Sequence, residues 1–238
     1  FVKQYIRPRY VVPGTDGSTV IAAKMPERFI DKGIMGEGLL AQVVIDKYCD
    51  HLPLYRQARR FEREGVSLAE STLGDAVRQV ASQAISPLFN LLVQQLLNSQ
   101  YMQADETHIR VLAKDDANAS TRGFYWVYYS PELKTAVFTY HPGRGREGPE
   151  KMLSAFKGHL QVDGYRVYEQ YGGKNGIVLF HCWAHARRYF EKALQSDPDR
   201  SQHALEQIQI LYSIERSIEE DKLSAPEAFQ LRIGKAVP

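Results

Sequence analysis

The stretch from Tyr101 to Gly164 limits what this chain can fold into more than any other part of it. It opens with YMQADETHIRVLA, a β-type run with Asp105 in its middle, and closes with HLQVDGY, a shorter run ending on Asp163. Between them lie GFYWVYYS (123–130) and TAVFTYH (135–141), two aromatic and β-branched runs joined by a hairpin-length turn. A glycine-rich turn and a helix from about Pro149 complete the order strand, strand, strand, helix, strand. A crossover between parallel strands of one sheet is right-handed almost without exception, and here it returns the fourth strand beside the first. The carboxylates of Asp105 and Asp163 then meet at neighbouring strand ends, where open α/β sheets place their ligands. Carboxylates converging there hold divalent cations rather than stand as a repelling pair. Glu106 alternates to the opposite strand face and is the poorer ligand.

The segments on either side have a different period. Residues 1–26 carry Pro8, Pro13, Gly14 and Gly17 among short β-prone pieces, YVV and TVIAA, and read as a linker or a small hairpin. Residues 27–100 read as helical. GLLAQVVIDKYCDHL repeats Leu39, Leu40, Val43, Val44 and Tyr48 at a helical period. Pro53 suits the first turn of a second helix, LPLYRQARRFEREG, which Gly65 stops. A third begins near Ser71 or Thr72, either one a good N-cap. Together the last two give a helix-turn-helix outline. Arg56, Arg59, Arg60 and Arg63 fall on one face of the second helix, a stripe suited to DNA phosphates or to plain solvation, with Glu62 and Glu64 nearby. Leu88, Leu91, Leu92 and Leu96 give the helix over 84–100 an apolar side for core packing.

Several features around the central unit bear on phosphate chemistry. AKDDANASTR reads as a polar loop at a sheet edge. GRGR lacks the lysine and spacing of a P-loop, yet Arg144 and Arg146 can touch a DNA backbone from a surface turn. After Asp163 come a short helix, YRVYEQYGG, a buried strand, IVLFHC, and the helix WAHARRYFEKALQ. His181, Cys182 and His185 lack the second ligand pair that structural zinc needs, and Cys182 and Trp183 are expected to pack where strand meets helix. Arg187 and Arg188 face outward, useful beside a carboxylate site acting on phosphates. From about Asp199 the chain reads as one long helix and a ragged end.

Composition excludes little but does exclude something. A chain of 238 residues, 44% of them hydrophobic, can bury a core in one or two domains. No run reaches the roughly 18 to 20 apolar residues of a membrane span, and no secretory signal pattern opens the chain. Two cysteines are too few for a disulfide framework, so a reducing cytosol is expected. A net charge of +2 decides nothing about nucleic acid. The first residue is Phe and the end is GKAVP, which reads as a fragment of something longer.

From about Pro26 to about Leu223 the chain resembles the transposases of the insertion sequence 66 family of bacterial mobile elements. The resemblance rests on GEGLLAQVVIDKYCDHLPLYRQARRFEREGVSLAESTLGDAV, QADETHIRVL, YHPGRGREGPEKML, LQVDGYRVYEQY and HCWAHARRYFEKAL, in the family's order. It implies an α/β fold with a ribonuclease-H-like mixed sheet, a three-strand meander plus parallel strands, over 101–198. A helix-turn-helix-like region over 27–100 precedes it, and a helical insertion over 199–238 follows. It also implies an Asp, Asp, Glu metal site holding two Mg2+ or Mn2+ ions, with Asp105 and Asp163 as the first two acids. The third acid belongs to a later motif, and Glu206, Glu215 and Glu219 do not take its place. The implied partner is double-stranded DNA, bound by a homo-oligomer in the bacterial cytoplasm at the nucleoid, and the implied reaction is end cleavage and strand joining. With the third acid missing, the chain is expected to fold but not to cut DNA. A helix-turn-helix regulator with a non-catalytic sheet, or a ribonuclease-H-like nuclease, remains open on the residues alone.

Overall fold

The computed structural model describes residues 3–14, 19–112, 120–174 and 176–236, and its contacts divide it into two compact units, Phe1–Leu88 and Phe89–Pro238. In the first unit, β1 (Arg9–Val11) and β2 (Val20–Ala22) form an antiparallel ribbon, so the N-terminal stretch contains a small hairpin rather than a bare linker. Helices α1 (Glu37–Tyr48), α2 (Leu54–Arg63) and α3 (Glu70–Val80) enclose Leu40, Val43, Phe61, Leu73, Ala76 and Val77. Tyr48, expected on the inner face of α1, is exposed.

The helix ends differ in detail from what the residues suggest. Pro53 stands just before α2 and not inside it, and Ala69 precedes α3, which leaves Ser71 and Thr72 within its first turn with no capping bond. The stop after α2 is as expected. Gly65 takes φ +82°, Val66 N–H donates to Phe61 O at 2.8 Å and Gly65 N–H to Glu62 O at 3.0 Å. This is a Schellman closure, in which glycine adopts a left-handed backbone without a Cβ penalty. A π-helical segment, Ala81–Ile85, then leads to α4 (Ser86–Leu97).

The second unit is built on a five-stranded mixed sheet. Its strands are β3 (Tyr101–Leu112), β4 (Ser120–Ser130), β5 (Thr135–His141), β6 (Gly158–Val162) and β7 (Ile177–His181), in the order β5-β4-β3-β6-β7. The first three form an antiparallel meander, and β6 returns parallel to β3 after the crossover helix α5 (Glu147–Leu153), with β7 parallel beyond it. Most of the expected polar loop, 113–119, lies outside the described residues, while Ser120 to Arg122 already belong to β4.

Alternation sorts the sheet into two faces. Met102, Ala104, Trp126, Tyr128, Val137, Leu160, Val162 and Ile177 point into the core, whereas Phe138, Tyr140, Val178 and Phe180 are exposed. The core is covered by Phe89, Leu92, Val93, Leu96 and Leu97 of α4, together with Met152, Leu153, Phe156, Tyr168 and Tyr171. The inward face of α4 is therefore rotated from the expected one, since Leu88 and Leu91 are exposed. Gly148 lets α5 lie directly on Trp126, where a Cβ would sit 2.2 Å from the indole.

Beyond β7 come α7 (Trp183–Ala193), α8 (Pro198–Glu220) and α9 (Ala225–Ala236), with α6 (Arg166–Glu169) lying between β6 and β7. The end expected to be ragged is thus a helix, tied to α8 by Arg232, whose Nε donates to Glu215 at 2.7 Å. Trp183 is exposed rather than packed at the strand–helix junction. Among the described residues no helix is long and apolar enough to cross a membrane.

Candidate metal centre

The register of β3 against β6 decides where the acids lie. It pairs Tyr101 with His159, Met102 with Leu160 and Gln103 with Gln161, a constant offset of 58 residues. Asp105 and Asp163 have that same separation (163 − 105), so they stand level on adjacent parallel strands, one residue past the end of β6. Alternation puts both on the sheet face of Gln103 and Gln161. There Gln103 Nε2 donates to Gln161 Oε1 at 3.0 Å and to the Tyr101 hydroxyl at 3.0 Å, and Tyr101 donates to Gln161. That network bridges the two strands directly behind the aspartates.

Each aspartate is held by a short backbone bond. Glu106 N–H donates to Asp105 Oδ1 at 2.8 Å, and Tyr165 N–H donates to Asp163 Oδ1 at 2.8 Å. Gly164 makes the second bond reachable, because the chain turns out of β6 at φ +89°. Carboxylate oxygens of Asp105, Glu106 and Asp163 lie within 4.8 Å of one another. Asp105 is exposed and Asp163 half-buried.

The membership of Glu106 corrects the expectation from alternation. It does rise from the core face of β3, and its side chain is 2% exposed. Its carboxylate nevertheless reaches the cluster where β6 has ended and no longer closes the sheet. Arg144 Nε donates to Glu106 Oε1 at 2.9 Å with Nη2 on the same oxygen, and the Tyr168 hydroxyl donates to Oε2 at 3.1 Å. Bonding to Glu106 holds the Arg144 guanidinium charged still more firmly, against the opposing effect of burial, and the charges of Glu106 and, last, Asp163 add to it. Burial, and then the charge of Glu106, push the Tyr168 hydroxyl far above the ordinary phenol range, so it stays a donor. Tyr165 completes the setting, with its hydroxyl on Arg144 O at 3.1 Å and its ring 4.1 Å beneath the guanidinium.

The arginines expected on DNA divide by environment. Arg56, Arg59 and Arg63 are exposed on α2, the first two near the Tyr55 ring. Arg60 is turned to buried Asp46 as an ion pair, so the exposed stripe has three members and not four. Arg144 is committed to Glu106, whereas Arg146 is exposed. Arg187 and Arg188 face outward from α7, Arg187 paired to Glu191 at 2.9 Å. Near the start of α7, His181 is exposed, Cys182 half-buried, and His185 Nδ1 is buried without a protein partner. Sequence reasoning missed Tyr165, Tyr168 and Gln161. The i, i+3 tyrosines of YRVYEQY were the available signal, since that spacing brings a cap residue and a first-turn residue together, and their rings meet edge-on.

The profile described as Transposase IS66 family matches residues 32–238, which include the whole cluster. The chain belongs to that family. Its curated relatives include the uncharacterized proteins y4qI and y4jD of Sinorhizobium fredii (strain NBRC 101917 / NGR234). The first is 32% identical over 77% of this chain and 36% of its own length, the second 33% identical over 91% and 45%. This IS66-family chain therefore spans less than half the length of those relatives. A chain of the simian T-cell lymphotropic virus intasome in complex with PP2A regulatory subunit B56 gamma matches 46% of this chain and 48% of its own. Its identity of 16% and TM-score of 0.28 make the likeness too slight to carry an argument.

Proposed function

We propose that this chain carries part of the catalytic region of a DNA transposase, with a ribonuclease-H-like core in which Asp105 and Asp163 hold Mg2+ or Mn2+. One observation carries the proposal: the two aspartates stand level on adjacent parallel strands in a member of a transposase family. The donor set fits the ions, because hard divalent cations take carboxylate oxygens. The Oδ1 atoms of both aspartates accept short backbone bonds that orient the carboxylates. Strand order supports the fold, with an antiparallel meander and the fourth strand beside the first.

Divalent cations bound there would supply Lewis-acid stabilisation of a transferring phosphoryl group. The protein's own part is placement. The Gln103–Gln161 bridge fixes the spacing of the strands that carry the aspartates, and the turn at Gly164 fixes the rotamer of Asp163 through Tyr165. Errors of about 1 Å in such a site can cost a hundredfold in rate. Residues 27–100 serve in this reading as a helix-turn-helix-like DNA reader, with Arg56, Arg59 and Arg63 on phosphates, and 199–238 as a helical insertion. The test is Mn2+ titration of the chain and of its Asp105→Asn and Asp163→Asn variants. Binding lost in both variants supports the site, and equal binding by all three proteins removes it.

A further inference from the structure

We propose that Arg144 is the internal counter-ion of the acidic cluster, so that a divalent cation binds there in competition with the Arg144–Glu106 pair. The proposal rests on the reading that Asp105 and Asp163 hold a metal. Three carboxylates with oxygens inside 4.8 Å of each other repel strongly unless a positive charge is among them. In this structure that charge is a guanidinium, placing two N–H donors on one oxygen of Glu106.

The two partners are unequally free to leave. The Glu106 side chain is 2% exposed and cannot stand charged and alone without a large desolvation cost, whereas the Arg144 side chain is 48% exposed. Arg144 can therefore swing into water once another cation takes over the neutralisation of Glu106. Its backbone need not move, because the carbonyl stays on the Tyr165 hydroxyl at 3.1 Å. Asp105 and Asp163 have only near-neighbour backbone bonds on Oδ1 among the described residues, so they are the open side of the cluster. A guanidinium at its third member lowers the electrostatic attraction that an incoming cation meets. The same contact keeps the cluster assembled when no cation is present.

The experiment measures Mn2+ affinity of the 238-residue chain by titration calorimetry, beside its Arg144→Gln and Arg144→Lys variants. Removing the charge should tighten Mn2+ binding about tenfold, a modest share of a close charge–charge interaction, and lysine should fall between. The variant should also melt earlier than wild type without metal and gain more from Mn2+. A folded Arg144→Gln chain that binds Mn2+ no tighter than wild type overturns the proposal. If that variant does not fold, the wild-type Arg144 Nε–H resonance, assigned by its loss in Arg144→Lys, gives the answer. Saturation with Mg2+ should move that resonance and speed its exchange with water, and an unmoved resonance with Mg2+ bound overturns the proposal as well. The Asp105→Asn variant separates the two failures. Mn2+ binding unaffected by it sinks the metal site and the counter-ion role together, whereas binding abolished by it with Arg144→Gln unchanged sinks the counter-ion role alone.

Discussion

The two units use the same device for different ends. In the helical unit Asp46 is buried on α1, its side chain 4% exposed, and is neutralised by Arg60, while Gln42 Nε2 donates to its other oxygen at 2.6 Å. In the sheet unit Glu106 is buried on β3 and is neutralised by Arg144, while Tyr168 serves its other oxygen. Each arginine also lies against an aromatic ring, Arg60 on Phe61 and Arg144 on Tyr165. The difference lies in the neighbours. Asp46 has a closed set of partners, whereas Glu106 shares its surroundings with Asp105 and Asp163. A buried acid with one arginine ties helices together; a buried acid beside two more carboxylates gives its arginine a competitor.

The sharpest way to break that comparison is to remove each arginine in turn. Arg60→Ala leaves Asp46 charged and unpaired, and should cost about 3 kcal/mol in urea unfolding, which Mn2+ does not restore. Arg144→Ala should cost at least as much without metal, because it leaves three close carboxylates with no positive charge among them, and Mn2+ should restore most of the loss. Equal rescue of both variants by Mn2+ would mean that the metal acts on the fold at large and not on the cluster.

The next largest effect concerns the acids themselves. Asp105→Asn and Asp163→Asn should each weaken Mn2+ binding by about a hundredfold or more, since even outer partners of metal ligands cost about 10- to 100-fold. Asp46→Asn, on an acid more buried than either and outside the cluster, should leave Mn2+ affinity unchanged. Calorimetric titration of the three variants decides between a specific site and general acidity.

A smaller effect follows from the backbone at the cluster. Gly164→Ala places a side chain at φ +89° in otherwise open space, with His181 the nearest atom at 3.8 Å. Its cost should be about 1 to 2 kcal/mol of stability, with Mn2+ affinity falling as the Tyr165–Asp163 bond is disturbed. Gly65→Ala at φ +82°, likewise in open space, should cost a similar amount and leave Mn2+ binding alone. Thermal melts with and without Mn2+ compare the two glycines directly.

The smallest expected effect separates the exposed arginines from the paired one. Each of Arg56→Ala, Arg59→Ala and Arg63→Ala should lower the slope of log affinity against log salt on duplex DNA by about 0.9. Arg60→Gln, which removes the charge and keeps an N–H donor for Asp46, should leave that slope unchanged, because the Arg60 charge is already spent on Asp46. A slope indifferent to all four would leave α2 as a solvated face.

What could be read from the residues alone was set by short-range periodicity. The alternation along YMQADETHIRVLA, the aromatic runs and their turn, and the crossover through a helix were enough for the order β5-β4-β3-β6 and for Asp105 beside Asp163, while the place of β7 beyond β6 came from the structure. The 58-residue spacing carries through because a register is a constant offset between two strands. The helical unit's Gly65 stop was legible for the same reason, since a left-handed backbone is a local matter. The tertiary structure alone decided which polar groups meet across distance. Arg60 finds Asp46 14 residues away, Arg144 finds Glu106 38 away, and Tyr168 finds it 62 away. Periodicity assigns a face to each of these side chains but cannot say what lies opposite that face. It placed Glu106 correctly on the core side of β3 and still missed its place in the cluster. The long side chain passes the end of β6, and where a neighbouring strand ends is a property of the assembled sheet.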